Sequence, residues 1–249
     1  MTIFIILAIV IAAVLLIIFY PRIKIYVTPA TPAGYVEDCV NERLGTFIED
    51  SAGKGGRANP ENFIMYQGKE IGYLCYTNEY YKMCVMQTPF LKQSFETEIE
   101  KYLAPIAEKC VNEMASDFQE KGYQAIVNSK NVSVEILPKN VKIIVNAPIT
   151  LTKESTQSFN KFIIAKNSKM YDLLMISQSI LNYEARYGDS NPETFMLYYP
   201  DIRVEKLKQG DGSKIYIVSD RNTNEKFVFA TRSLSWPAGY GLDEKYVRI

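Results

Sequence analysis

Residues 95–118, FETEIEKYLAPIAEKCVNEMASDF, carry apolar side chains at steps of three and four. Such steps place side chains on one face of an α-helix. Pro105 lies within the stretch, and we expect it to kink the helix one turn before Cys110. The stretch therefore predicts a long amphipathic helix whose cysteine faces the core. The apolar face comprises Phe95, Ile99, Tyr102, Leu103, Ile106, Cys110, Val111, Met114 and Phe118.

A shorter amphipathic helix is predicted before this long helix, in residues 34–50. Its inward side includes Cys39, so a Cys39–Cys110 disulfide would join the two helices. The other two cysteines lie in GYLCYTNEYYKMCVM, residues 72–86, which predicts two short strands with Cys75 facing Cys84. The other two connectivities remain open, as do four free thiols in a reducing cytosol. No CxxC spacing occurs, which argues against a structural zinc site.

The N-terminal stretch IFIILAIVIAAVLLIIFY begins at Ile3, ends at Tyr20 and contains no charged side chain. Eighteen helical residues span roughly 27 Å, enough for the hydrocarbon core of a bilayer. The stretch predicts an uncleaved transmembrane anchor, residues 1–21, with Ile3 to Tyr20 in contact with lipid. A cleaved signal peptide and a buried helix are the alternatives. Against the signal peptide, Lys and Arg are absent before the stretch and no A-x-A site closely follows it.

The orientation of this anchor depends on two opposing signals. Arg22 and Lys24 would place the following domain in the cytoplasm by the positive-inside rule. Disulfides persist in oxidising compartments, which favours a domain outside the cytoplasm. The sequon at Asn131 is compatible with glycosylation there. We expect a single-pass cell-membrane protein with an extracytoplasmic C-terminal domain.

Composition excludes several functions. The chain has 249 residues, 28 Lys+Arg, 28 Asp+Glu and no histidine. Zero net charge argues against nucleic-acid binding, which needs a basic surplus. The lack of histidine excludes Ser-His-Asp and Cys-His catalysis and His-ligated zinc.

The remaining pattern predicts an α+β fold in which disulfides staple helices to antiparallel sheet. A Pro-rich spacer, 22–33, precedes either two halves, 34–147 and 148–249, or one domain over 34–249. Strands are expected near 125–128, 132–137, 141–146 and 159–166. A helix should then run from Asn167 or Ser168 to Gly188, and a three-stranded meander should cover 202–231.

The chain contains 18 tyrosines, and several are clustered. Tyrosine supplies large contact area at recognition surfaces, although it also simply favours strands. A first cluster, proposed as a binding surface, comprises Tyr73, Tyr76, Tyr80 and Tyr81, and a second pair, Tyr198 and Tyr199, adjoins Pro200.

Catalytic and metal motifs are weak. Ser51-x-x-Lys54 matches a Ser–Lys nucleophile pair, but this spacing is expected by chance in such a chain. Asp220 begins a segment resembling a calcium loop, in which Glu225 occupies the glycine position and Thr231 the glutamate position. We therefore predict no cofactor, no metal and no catalytic residue, with an anchored hydrolase as a minor alternative.

The order of features resembles uncharacterised membrane-anchored proteins of small, host-dependent archaea of the DPANN group. The resemblance implies a surface location and a similar fold, and it carries no catalytic residue. Arg57 departs from the aromatic residue that follows the Gly-Gly step in that group. The matching features are the anchor, Cys39, Gly55-Gly56, Tyr73, Tyr102-Leu103 with Cys110, 134–147 before Pro148, 159–164 before 170–186, and 226–230.

These observations favour an anchored envelope protein that is structural or binds a protein partner, which could be a second copy of the chain. The alternative is a subunit of a membrane-embedded machine or surface filament. There the N-terminal helix would pack against copies of itself through Ala8, Ala12 and Ala13.

Overall fold

The computed structural model describes residues 31–128 and 131–235. Within these ranges the chain forms helices and strands in mixed order, so the α+β class is confirmed. The helices are α1 (Pro32–Ala52), α2 (Leu91–Glu120), α3 (Met170–Tyr187) and α4 (Pro192–Tyr198). The strands are β1 (Phe63–Tyr66), β2 (Lys69–Tyr76), β3 (Val85–Met86), β4 (Gln124–Val127), β5 (Asn131–Leu137), β6 (Asn140–Thr152), β7 (Thr156–Asn167), β8 (Ile202–Lys208), β9 (Ser213–Asp220) and β10 (Lys226–Arg232).

The predicted anchor, 1–21, and the spacer up to residue 30 lie outside the described residues. Among the helices described, none is both long enough and apolar enough to cross a bilayer. Helix α1 begins at Pro32, two residues before the predicted start. Proline suits a first helical turn because the backbone N–H that it lacks has no partner there.

One sheet has six strands in the order β1-β2-β10-β9-β8, with β3 also paired to β2. The strands β8, β9 and β10 form the predicted meander. The pair β2 and β10 is parallel, so the expectation of a purely antiparallel sheet is wrong at this point. The reason is topological: the strands are 150 residues apart in the chain, and no hairpin constrains their direction.

The hairpin predicted around Asn78–Tyr81 has a different register. Cys75 is opposite Met86, and residues 77–84 form a loop rather than a tight turn. The loop is held by the end of β10 and by the segment after it. The Thr77 N–H donates to the Arg232 carbonyl, and the Tyr81 N–H donates to the Leu234 carbonyl. Another hairpin, which was not predicted from the sequence, lies before this loop. A turn at Gln67-Gly68 connects its strands, β1 and β2. Both residues have positive φ, 48° and 77°, as in hairpin turns of type I′.

The second sheet is built on β6, a strand of 13 residues. One edge of β6 pairs with β7, and the other pairs with β5 and then β4. Side chains of β6 alternate between buried and half-buried, so one face of this sheet packs on the core. The proposed boundary between halves at 147/148 falls inside β6, at a register shift beside Pro148. The described residues from 36 onwards, 36–128 and 131–235, belong to one compact unit.

Helix α2 covers the four-stranded sheet, and α3 packs on the six-stranded sheet and touches α2. The predicted face of α2 is buried, except that Tyr102 and Ile106 are only half-buried. Tyr102 stacks on Phe47 of α1, with the ring centroids 3.8 Å apart. The core therefore lies between helices and sheets, and α1 is fastened to α2.

Two glutamates of α2 cover the free edge of β5. Glu100 accepts a hydrogen bond of 2.8 Å from the Val134 N–H, and Glu96 accepts one of 2.7 Å from the Ile136 N–H. These N–H groups point away from β6 and would otherwise lack a partner. The helix therefore blocks an edge that could pair with another strand.

Both disulfides join the predicted cysteines. Cys39–Cys110 links α1 to α2 with 6.0 Å between Cα atoms, and Cys75–Cys84 closes the loop after β2 with 5.3 Å. The prediction of disulfide bonds is confirmed, although the direct strand pairing used to place the second bond is wrong.

Candidate functional site

The first tyrosine cluster does not form one surface. Tyr73 is buried in an apolar cluster with Ile71 and Ile215, and its hydroxyl lies 2.7 Å from the Ser213 hydroxyl. Burial also raises the pKa of Tyr73. Tyr76 is half-buried, with the Arg232 guanidinium over its ring at 5.8 Å. The prediction of a four-tyrosine surface is therefore wrong for Tyr73, because both faces of β2 are buried from Ile71 to Cys75.

Tyr80 and Tyr81 lie on the loop after β2 and are 64% and 77% exposed. They remain available to a partner, whereas Tyr73 is not. Asn131 is exposed at the first residue of β5, which leaves its amide accessible for modification.

The Ser51 and Lys54 side chains have separate structural partners. The Ser51 hydroxyl is fully buried and donates to the Phe47 carbonyl at 2.6 Å, as serines often do within helices. The Lys54 ammonium pairs with Asp50 at 2.7 Å. Neither group contacts the other, so the motif does not assemble a nucleophile.

A different feature stands out, an open cleft of about 830 Å³ between α3, α4 and the segment that leads into β8. This volume is within the range of ligand-binding pockets, about 300–1,000 Å³. We call it the α3–α4 cleft. Its walls comprise Lys169, Tyr171, Asp172, Met175, Ile176, Ser179, Tyr183, Thr194, Phe195, Tyr198, Tyr199, Pro200, Asp201, Ile202 and Asp220.

Aromatic side chains form much of the wall. Tyr183 of α3 meets Phe195 of α4 edge to face, with ring centroids 6.1 Å apart. Phe195 is buried, while Tyr183, Tyr198 and Tyr199 are 47%, 73% and 53% exposed. Exposed tyrosines gathered at one cleft are typical of a recognition surface, because they bring large rigid contact area.

Three aspartates add negative charge to the cleft. Asp172 lies in the first turn of α3, Asp201 precedes β8, and Asp220 ends β9. Burial would raise the pKa of Asp220, but hydrogen bonds from Thr223 and Asn222 hold it below its ordinary value of 3.8. Asp220 therefore stays ionised at neutral pH.

Next to Tyr183, a buried polar network ties α3 to β9. The Tyr216 hydroxyl donates to Glu184 Oε1 at 2.5 Å, and the Lys214 ammonium lies 2.7 Å from Glu184 Oε2. Burial raises the pKa of Glu184 more than Lys214 and Tyr216 lower it. Burial and the adjacent carboxylate also raise the pKa of Tyr216 well above 10, so Tyr216 is a neutral donor.

The same network holds the loop between α3 and α4. The Lys214 ammonium donates to the Gly188 carbonyl at 2.7 Å and to Asp189 at 3.0 Å. The Lys206 ammonium binds both oxygens of Asp189 at 3.2 Å and the Ser190 carbonyl at 2.9 Å. Because the loop is fixed to β8 and β9, the α4 wall of the cleft is held in place.

Helix α4 itself begins at a strong local signal. The Asn191 side chain accepts a hydrogen bond of 3.0 Å from the Glu193 N–H, and Pro192 occupies the first helical position. This Asn-Pro start was not predicted from the sequence. The pair Tyr198 and Tyr199 beside Pro200 was identified there, but its proximity to Tyr183 and to the aspartates was not.

Comparison with known protein families, with curated proteins and with solved structures finds no match to this chain.

Proposed function

We propose that this chain is a membrane-anchored protein of the cell envelope whose disulfide-stapled domain lies outside the cytoplasm and binds a protein partner. The α3–α4 cleft is the binding site. The anchor is residues 3–20, an uncharged apolar stretch of sufficient length to span a bilayer. Two disulfides support an oxidising compartment.

The observation that carries the binding role is the cleft with its exposed tyrosines. Tyr198 is 73% exposed at its rim, although burial of such a side chain would be favourable. The buried network around Glu184 and Lys214 holds the walls rather than reacting, because both side chains are almost inaccessible to a substrate. A preformed, aromatic cleft suits binding better than catalysis.

Site-specific photocrosslinking in native membranes tests this proposal. A photoreactive phenylalanine analogue replaces Tyr198 in the full-length chain, and a matched chain carries it at Tyr80, which is similarly exposed. We expect a single protein adduct from position 198 and a much weaker one from position 80. Tyr183→Ala should reduce the adduct at position 198, because it removes one wall of the cleft.

Two outcomes would contradict the proposal. One is no adduct at position 198, and the other is equal labelling at positions 198 and 80. Thermal unfolding of Tyr183→Ala serves as the control for folding.

A further inference from the structure

The α3–α4 cleft combines two features that recognise the same kind of ligand. Tyrosine rings attract cations through their negative faces, and carboxylates attract them directly. Tyr183, Tyr198 and Tyr199 supply the rings, and Asp172 and Asp201 supply carboxylates near the surface. A cation held against such walls would be contacted by both.

The charge of the cleft is unbalanced. Its lining contains three carboxylates and one ammonium, that of Lys169. The Lys169 ammonium lies 3.8 Å from Asp172, at the far limit of an ion pair. The Asp201 carboxylate is exposed, and within 31–128 and 131–235 only its backbone carbonyl is engaged, by the Arg221 N–H. Negative charge is therefore left for a ligand.

Asp220 adds a carboxylate that is 97% buried and still lines the cleft. Its Oδ1 accepts from the Asn222 N–H at 3.0 Å and from the Thr223 N–H and hydroxyl at 2.8 and 3.0 Å. In the part of the chain that the structure describes, all hydrogen bonds to this carboxylate go to Oδ1. Oδ2 therefore has accepting capacity that none of these hydrogen bonds uses, and a cationic group in the cleft can bind it.

The aspartates come from three separate elements and are spread along the cleft. No three acidic or cysteine side chains in the described ranges converge closely enough to hold a metal ion. A dispersed set of carboxylates between aromatic walls matches several cationic groups on a chain better than one point charge. The volume of about 830 Å³ has room for a few residues of peptide.

We infer that the α3–α4 cleft binds an extended segment of the partner protein that carries arginine or lysine side chains. This inference rests on the proposed function and adds the chemistry of the partner. The cationic groups lie between the tyrosine rings and near Asp172, Asp201 and Oδ2 of Asp220.

Peptide binding to the full-length chain in neutral detergent tests the inference. The probe is a fluorescent glycine–serine nonapeptide with three arginines, compared with peptides that carry three glutamines or three glutamates. We expect the arginine peptide to bind at least about tenfold more tightly than the glutamine peptide. Its affinity should fall as salt increases.

Variants locate the binding in the cleft. Asp201→Asn and Tyr198→Ala should each lower the affinity for the arginine peptide about three- to tenfold. The matched controls, Glu154→Gln and Tyr80→Ala, change exposed residues outside the cleft and should leave affinity unchanged. Asp201→Asn keeps the shape of the side chain, and its thermal unfolding should match that of the parent chain.

Three results would overturn the inference. They are equal binding of the glutamine and arginine peptides, no effect of Asp201→Asn, and binding of a neutral sugar, maltohexaose, at Tyr198 in place of the arginine peptide. If position 198 crosslinks to a partner but the arginine and glutamine peptides bind equally well, only the inference fails. If position 198 does not crosslink, the proposed function fails as well.

Discussion

The Glu184–Lys214 pair shows how one buried contact holds a wall of the α3–α4 cleft in position. Glu184 is fully buried and Lys214 is 7% exposed, so each charge depends on the other. A buried pair adds little net stability compared with apolar residues, but breaking it leaves an uncompensated charge.

Lys214→Met should therefore lower the free energy of unfolding by about 3 to 5 kcal/mol. Adding Glu184→Leu should restore part of this loss, because the unpaired carboxylate is removed with its partner. Urea unfolding of Lys214→Met, Glu184→Leu, the double variant and the parent chain measures these differences. If the double variant is less stable by the sum of the two single changes, the residues do not act as a pair.

Through Asp189, the contribution of this network to folding stability depends on pH. Burial alone would raise its pKa, but Lys214 and Lys206 hold the pKa below its ordinary value of 3.8. Because the pKa is lower in the folded chain, the ionised carboxyl stabilises the fold at pH above about 3.8. This stabilisation is lost as the pH falls through the folded pKa.

We expect Asp189→Asn to be less stable than the parent at pH 6, and the difference to shrink below pH 3.8. Glu184, whose pKa is raised, is present in both chains and largely cancels from the comparison. Urea unfolding of Asp189→Asn and of the parent at several pH values measures the difference in stability. An equal difference at pH 6 and at pH 3 would show that Asp189 is not held as an ion.

At the scale of elements, α2 is positioned by its apolar face and by the hydrogen bonds that it makes to β5. The apolar face could be predicted from spacing alone, whereas the bonds from Glu96 and Glu100 to the strand edge could not. Glutamates on the flank of an amphipathic helix are ordinary, and nothing in their spacing says that a strand edge lies beside them.

Glu100→Ala should expose the Val134 N–H and destabilise the edge of β5 by about 1 to 3 kcal/mol. Amide hydrogen exchange should accelerate at Val134, with little change at Val145 on β6 as the internal control. Exchange that is unchanged at Val134 would mean that the carboxylate does not cover this edge.

The long helices and the strand β4 could be predicted, whereas the short elements β1 and α4 could not. Helix α3 ends at Gly188, whose φ of 77° is the left-handed conformation that glycine adopts easily. Strand β3 has two residues and no pattern of its own, and β1 has four. The cleft was missed because Asp172, Tyr198 and Asp220 are separated in the chain, and only packing brings them together.

At the scale of the whole molecule, the two disulfides differ in how much chain they close. Their separations are 71 and 9 residues, which correspond in the chain-entropy model to about 4.4 and about 2.6 kcal/mol. Replacing Cys39 and Cys110 by alanine should therefore destabilise the fold more than replacing Cys75 and Cys84. Urea unfolding ranks the two variants, and the reverse order would contradict the loop-length argument.

The proposed function requires that the domain lies outside the cytoplasm, and the oxidation state of the four cysteines in native membranes tests this requirement directly. Protein is alkylated without reduction, then reduced and alkylated with a second reagent, and the peptides are identified by mass spectrometry. We predict that all four cysteines are protected at the first step, with linked peptides Cys39–Cys110 and Cys75–Cys84. Four thiols that react at the first step would place the domain in a reducing compartment and contradict the account.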